Sequence, residues 1–141
     1  MTVEIRSFAS DDTEAVVSLW EACALTRAWN DPRRDIERKL SVQPELFLVA
    51  VDADVVVGTV MAGYDGYRGW LHYLASHPVR RGEGIARGLV AEAEGRLQAM
   101  GCPKVQLMVR PENHGIRGFF EALGYAPIET RASGKRLIAD D

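Results

Sequence analysis

The sequence predicts a mixed α/β domain, with six to seven strands forming a central sheet and about four helices covering it. Three observations carry that expectation. At 141 residues, the chain is long enough to bury a sizeable core as one domain spanning 1–141, and its 47% hydrophobic and 26% charged residues are those of an ordinary soluble globular protein. The spacing of apolar residues switches between two and 3.6 along the chain, in the order β-α-α-β-β-β-α-β-α-β-β. Gly, Pro, Asp and Asn fall at the changeovers, where turns and helix caps need them.

Val3 and Ile5 alternate with Glu4 and Arg6 and open a short strand. Asp11-x-x-Glu14 has the spacing of a capping box. Ala15, Val16, Leu19, Trp20, Cys23 and Ala24 follow at helical intervals, predicting an amphipathic first helix. After a loop over Thr26 to Asn30, Asp31-Pro32 supplies an N-cap acid and a proline at the first helical position, so a second helix runs to about Ser41. Leu46 to Val51 and Val55 to Tyr64 are apolar runs separated by Asp52-Ala53-Asp54, which predicts a hairpin. The turn-rich Tyr64-Asp65-Gly66-Tyr67-Arg68-Gly69 leads to a strand over Trp70 to Ser76. The third helix ends at Gly101, and Pro103 leads into a fifth strand, Val105 to Val109. Asn113 to Leu123 reads as a short helix closed by Gly124, Tyr125 begins further strand, and Gly134 to Ile138 supplies the last one.

Between the fourth strand and the third helix lies His77-Pro78-Val79-Arg80-Arg81-Gly82-Glu83-Gly84-Ile85-Ala86-Arg87-Gly88-Leu89. The first N–H groups of a helix lack partners within it, and the peptide dipoles place partial positive charge there. Gly82 and Gly84 keep side chains away from the backbone, and Arg80 and Arg81 add fixed charge, so a pyrophosphate suits this junction. A Walker A loop would need Gly-Lys-Ser/Thr, which is absent, and a dinucleotide fingerprint would need G-x-G-x-x-G, whereas these glycines stand at 82, 84 and 88. The run resembles the acyl-CoA loop of the GNAT superfamily of N-acetyltransferases, Arg/Gln-x-x-Gly-x-Gly/Ala, which Arg81, Gly84 and Ala86 fill. The predicted element order also matches that family. Within it, Trp29-Asn30-Asp31-Pro32, Asp35-Ile36-Glu37-Arg38-Lys39, Gly63-Tyr64-Asp65-Gly66 and Gly134-Lys135-Arg136-Leu137-Ile138 look similar to the small bacterial YpeA-type acetyltransferases, whose acceptor is unsettled.

The resemblance implies a mostly antiparallel sheet splayed between its fourth and fifth strands, with the acyl-pantetheine arm of acetyl-CoA in the gap. It implies that the backbone of Leu74, Ala75 and Ser76 pairs with that arm as an added strand, that Arg80, Arg81, Gly82, Gly84, Ile85 and Ala86 hold the pyrophosphate, and that Asn113 contacts CoA. A backbone N–H of Leu74 or Ala75 would polarise the thioester carbonyl. Phe119-Phe120-Glu121-Ala122-Leu123-Gly124-Tyr125 looks like the family segment that usually carries a Tyr able to protonate the departing thiolate, but Phe120 stands there instead. Three readings stay open: water or a neighbouring side chain gives the proton, Tyr125 or Tyr73 does, or the protein binds acyl-CoA without turnover. The strand alignment places His72 where many members have a Glu base, and imidazole titrates near neutrality. Asp65, Glu112 and His114 are further base candidates whose commoner roles are turns and caps. Trp29 and Tyr64 are expected to border the acceptor site.

The expected activity is therefore transfer of acetyl from acetyl-CoA to a primary amine by direct attack in a ternary complex; the alternative is a non-catalytic acyl-CoA-binding or sensing module. A net charge of -3 argues against general nucleic-acid binding, although Arg80, Arg81 and Arg87 cluster locally. Cys23 and Cys102 lack the paired spacing of a zinc or redox site and read as packed thiols, and no metal is implied. The opening Met1 to Arg6 lacks a basic segment with an apolar core, and no apolar run approaches the ~18 residues of a membrane span, so a cytoplasmic protein without membrane partners is expected. Homodimers are common in the family.

Overall fold

The computed structural model describes residues 3–140. Its strands are β1 (Glu4–Ser7), β2 (Phe47–Asp52), β3 (Val55–Tyr64), β4 (Gly69–Ser76) and β5 (Val105–Gln106); its α-helices are α1 (Thr13–Ala22), α2 (Pro32–Leu40), α3 (Ile85–Ala99) and α4 (His114–Ala122). The strands form one sheet in the order β1-β2-β3-β4-β5. The first three pairings are antiparallel and β4–β5 is parallel, so the sheet is mixed and mostly antiparallel, as expected. The described residues fall into two compact units: one holds residues 3–106 with Asp140, and Leu107–Ala139 makes the other.

In the larger unit, Asp31 caps α2 by accepting from the Arg33 backbone N–H at 2.9 Å, with Pro32 as the first helical residue. The β2–β3 hairpin closes through Ala53 and Asp54, at φ 48° and 67°, the pair of positive angles that matches a two-residue turn to the twist of its strands. Period-two alternation along β3 sends Thr59 toward α1, where its hydroxyl accepts from the Trp20 indole at 2.9 Å. Neighbouring Gly58 faces α3: a Cβ there would lie 2.7 Å from Ile85 Cγ2 and 2.9 Å from Leu89 Cδ1. The sheet is thus covered on both faces, and Phe8, Val16, Leu19, Trp20, Ile36 and Phe47 anchor the core on the α1 side.

Several sequence expectations change. The described residues contain five strands, not six to seven. The fifth covers Val105–Gln106 rather than Val105 to Val109, because only Gly69 and Trp70 of β4 pair with it. Tyr125 starts no strand, and Gly134 to Ile138 forms none; Leu137 and Ile138 are 85% and 67% exposed, so that apolar pattern has no surface to bury against. At the start of α1 the acid that bonds the backbone is Asp12, not Asp11. Buried Asp12 accepts from the Ala9 N–H at 2.8 Å and from both terminal nitrogens of Arg6, at 2.8 and 3.0 Å.

In the smaller unit, Asn113 caps α4 by accepting from the Ile116 N–H at 3.2 Å, and Gly124 ends the helix at φ 93°. Both matches are local, which is why the sequence made them legible.

Candidate active site

The site is organised by a bulge in β4. Thr59 pairs with Ala75 and Met61 with His72, so Tyr73 and Leu74 together face the single residue Val60. Tyr73 has φ 52°, a conformation that costs a bulky residue about 1–3 kcal/mol and needs support from its surroundings. Three contacts supply it. The ring stacks on Trp20 with centroids 3.7 Å apart, the hydroxyl donates to Asp35 at 2.7 Å, and the carbonyl accepts from the buried Thr59 hydroxyl at 2.8 Å. Since Thr59 also accepts from Trp20, one buried hydroxyl satisfies both the indole and the carbonyl displaced from the ladder.

The bulge interrupts the period of two, so consecutive His72 and Tyr73 both face α2. They line a cavity of about 400 Å³ with Asp35, Arg38, Lys39, Val42 and Met61. The residues contributed by α2 and the turn after it, 35, 38, 39 and 42, stand at helical spacing on one face. Solvent reaches the His72 ring, yet the crowding around it, and then the Lys39 ammonium, push its pKa below the ordinary imidazole value. Burial likewise lowers the Lys39 pKa, partly countered by Glu45. Burial and the Asp35 carboxylate drive the Tyr73 phenol well above its usual range, so its proton stays in place.

From β4 the chain passes through a short 3-10 turn, Pro78–Arg80, into the glycine loop. Gly82 and Gly84 have φ 87° and 83°, and a Cβ on either would meet no atom of the described residues within 4 Å beyond its own chain neighbours. Backbone conformation, rather than crowding by the protein, therefore requires glycine at both, and space lies open beside them. Gly84 is the N-cap of α3, with no side-chain cap and no acid in the first turn, so the leading N–H groups lack a side-chain acceptor. The two arginines differ. Arg80 holds both Glu83 oxygens through Nε at 2.9 Å and Asp52 through Nη2 at 2.9 Å. Arg81 is exposed and makes no side-chain hydrogen bond or ion pair among the described residues.

The other sequence candidates are distributed. Leu74 and Ser76 are half-buried and Ala75 is buried, on a β4 edge that β5 leaves unpaired beyond Trp70. Asp65 bonds the N–H groups of Tyr67 and Arg68 at 2.8 and 2.7 Å and accepts from Trp70 at 3.2 Å, which holds its pKa low and makes it the turn residue. Trp29 is exposed, and the Tyr64 hydroxyl donates to the Gly66 carbonyl at 3.3 Å; neither lines the cavity. In the smaller unit, Phe120 is buried, with Phe119 and Tyr125 packed edge-on at 5.1 and 5.3 Å, and His114 contacts Arg117. Cys23 and Cys102 are free thiols pointed at the carbonyls of Ser76 and Lys104.

The model of the Acetyltransferase (GNAT) family matches residues 13–125. The chain belongs to that family. It is 53% identical over 138 residues to an acetyltransferase of Pectobacterium atrosepticum, covering 98% of each chain. It is 52% identical, with the same coverage, to an uncharacterized N-acetyltransferase of Yersinia pestis. The fold is shared with AAC(6')-Iy, solved in complex with the bisubstrate analog CoA-S-monomethyl-acetylneamine, at a TM-score of 0.81 and 19% identity over 98% of this chain and 100% of that one. The protein is thus a GNAT acetyltransferase. Among the described residues no helix is long and apolar enough to cross a membrane.

Sequence reasoning reached His72 and Tyr73 but missed Asp35, Arg38 and Lys39 as cavity residues. The 35, 38, 39, 42 spacing was available as a signal. What it lacked was the direction of that face, which the packing of Ile36 against the core decides.

Proposed function

We propose that this GNAT protein moves an acetyl group from acetyl-CoA to a primary amine by direct attack in a ternary complex. The observation that carries the reading is the β4 bulge, whose strand leaves the edge beyond Trp70 without a strand partner among the described residues and then leads to the start of α3, which has no side-chain cap. The amides of the pantetheine arm would pair with the backbone of Leu74, Ala75 and Ser76. The backbone from Gly82 to Ala86 and the Arg81 guanidinium would hold the pyrophosphate, while Arg80, through Glu83 and Asp52, keeps the loop in shape.

In this reading the amine nitrogen attacks the thioester carbon, a Leu74 or Ala75 N–H stabilises the oxyanion, and the C–S bond breaks. His72, neutral because of its surroundings, accepts the proton that the amine gives up. The departing thiolate takes its proton from water, since Phe120 has none and the Tyr73 hydroxyl is held by Asp35. A thiol near pKa ~8.5 makes that an undemanding step. The bisubstrate analog bound to AAC(6')-Iy is in keeping with two substrates held together on this fold.

The absent phenol and the engaged one also favour a second reading, an acyl-CoA-binding module without turnover. Calorimetric titration with acetyl-CoA, CoA and ATP, followed by thiol release on an amine panel, separates the two. Selective CoA binding with amine-dependent thiol release is expected; binding without release on any amine leaves the module. Arg81→Ala with Gly84→Val should weaken CoA binding roughly tenfold or more, as loss of a charge-assisted contact implies. Unchanged affinity would overturn the loop assignment.

A further inference from the structure

The charges around the cavity beside His72 are unevenly matched. Arg38 lies 2.6 Å from Asp140 and 3.5 Å from Asp35, so two carboxylates answer its charge. Asp35 also accepts the Tyr73 hydroxyl. Lys39, half-buried one position along α2, has neither a hydrogen bond nor a carboxylate within ion-pair distance among the described residues. Its Nζ stands 3.6 Å from where a Gly63 Cβ would be, with Gln43 Oε1 3.7 Å from the same point. That glutamine does not serve the ammonium, because its amide is engaged at both ends by the Tyr64 backbone, at 2.8 Å each. Glu45 acts on the ammonium only from beyond ion-pair distance; a half-buried ammonium without a contacting counter-charge is unfavourable in the free protein and becomes favourable when a ligand brings the anion. Val42 and Met61 line the same cavity and give such a ligand apolar contact.

We propose that Lys39 receives an anionic group carried by the acceptor, so that the acceptor is a small amine bearing a carboxylate or a phosphate. The inference rests on the acetyl-transfer reading and deepens it. The amine would stand at His72 and the anion at Lys39, both within one cavity of about 400 Å³, which suits a molecule of amino-acid size. The same ammonium disfavours a protonated amine nearby, so the group that selects the acceptor also favours its reactive neutral form.

Amine pairs matched in shape but not in charge provide the test: γ-aminobutyrate against 4-aminobutanamide, L-leucine against L-leucinamide, and O-phosphoethanolamine against ethanolamine. The wild-type protein should prefer the anionic member by roughly tenfold in kcat/KM, mainly through KM, as one charge-assisted contact implies. The first two pairs report a carboxylate acceptor and the third a phosphate. Lys39→Gln should level the preference, Lys39→Glu reverse it and Lys39→Arg retain it, with melting temperatures confirming that each variant folds. Equal use of charged and neutral amines, or a preference that survives Lys39→Gln, would overturn the proposal.

A second measurement needs no turnover. Butyrate, and not butyramide, should shift the His72 ring resonances of the wild-type protein, and Lys39→Gln should abolish the effect. Should no amine be acetylated while butyrate still acts through Lys39, the transfer reading fails and the anion site stands. Neutral amines acetylated without charge preference, with butyrate inert, would leave transfer standing and remove the anion site.

Discussion

Tyr73 concentrates the residue-scale physics of the site. Its positive φ is unfavourable alone and persists because Trp20, Asp35 and Thr59 each hold a different part of it. Since the hydroxyl serves Asp35, Tyr73→Phe should cost about 1 kcal/mol of stability by chemical denaturation and leave acetyl transfer largely intact. A collapse of activity at full folding would instead make Tyr73 the acid. His72 carries the opposite expectation: His72→Gln should lower kcat by about 10²–10⁴, the usual worth of a general base. Both influences on its imidazole disfavour the charged form. The acid limb of the wild-type pH–rate profile should therefore lie below ~6.5, and Lys39→Gln, by removing the repelling cation, should move the limb to higher pH. His72 was legible because imidazole on a strand before a glycine loop is chemically conspicuous. Lys39 was not, because one lysine on a charged helix looks like any solvated one.

At the scale of elements, the working unit is the bulged β4 with the glycine loop and α3 that follow it. Thr59→Val tests how the bulge is held: nearly the same shape remains, but the Trp20 N–H and the Tyr73 carbonyl both lose their partner. The expected cost is about 1–3 kcal/mol per buried group left unmatched, read as a lower denaturation midpoint together with weaker acetyl-CoA binding. An unchanged midpoint would mean that Trp20 stacking and the Asp35 hydrogen bond suffice to keep Tyr73 in place. The strand, loop and helix were all legible, since alternation, glycines and a C-cap are local signals. The bulge was not, because Leu71 to Ser76 reads as uninterrupted strand and the extra residue shows only against β3. The strand expected at Gly134 to Ile138 failed for the converse reason: the apolar Leu137-Ile138 pair is a local signal, while a strand requires a neighbour.

Across the whole molecule, β1 and the start of α1 are tied by Arg6 and Asp12, the latter buried and also bonded to the Ala9 N–H. Arg6, foremost, and that N–H hold the Asp12 pKa below the usual carboxylate value. The unfolded chain then takes up the proton at a higher pH than the folded one, so this stabilisation is present above ~3.9 and is lost as pH falls through the folded value. Asp12→Asn should lower stability at neutral pH by about 1–3 kcal/mol and flatten the acid limb of a pH–stability curve; an unchanged limb would place acid sensitivity elsewhere. The sequence by itself determined the element order through α4, the caps at Asp31, Asn113, Gly101 and Gly124, and the glycine loop, because each depends on residues within a few positions of one another. Only the tertiary structure decided that β4 is bulged, that Arg80 is held by carboxylates while Arg81 is not, and that Lys39 shares a cavity with His72. Those features arise between segments distant in the chain, where strand register and helix packing choose which faces meet, and no local pattern encodes that choice.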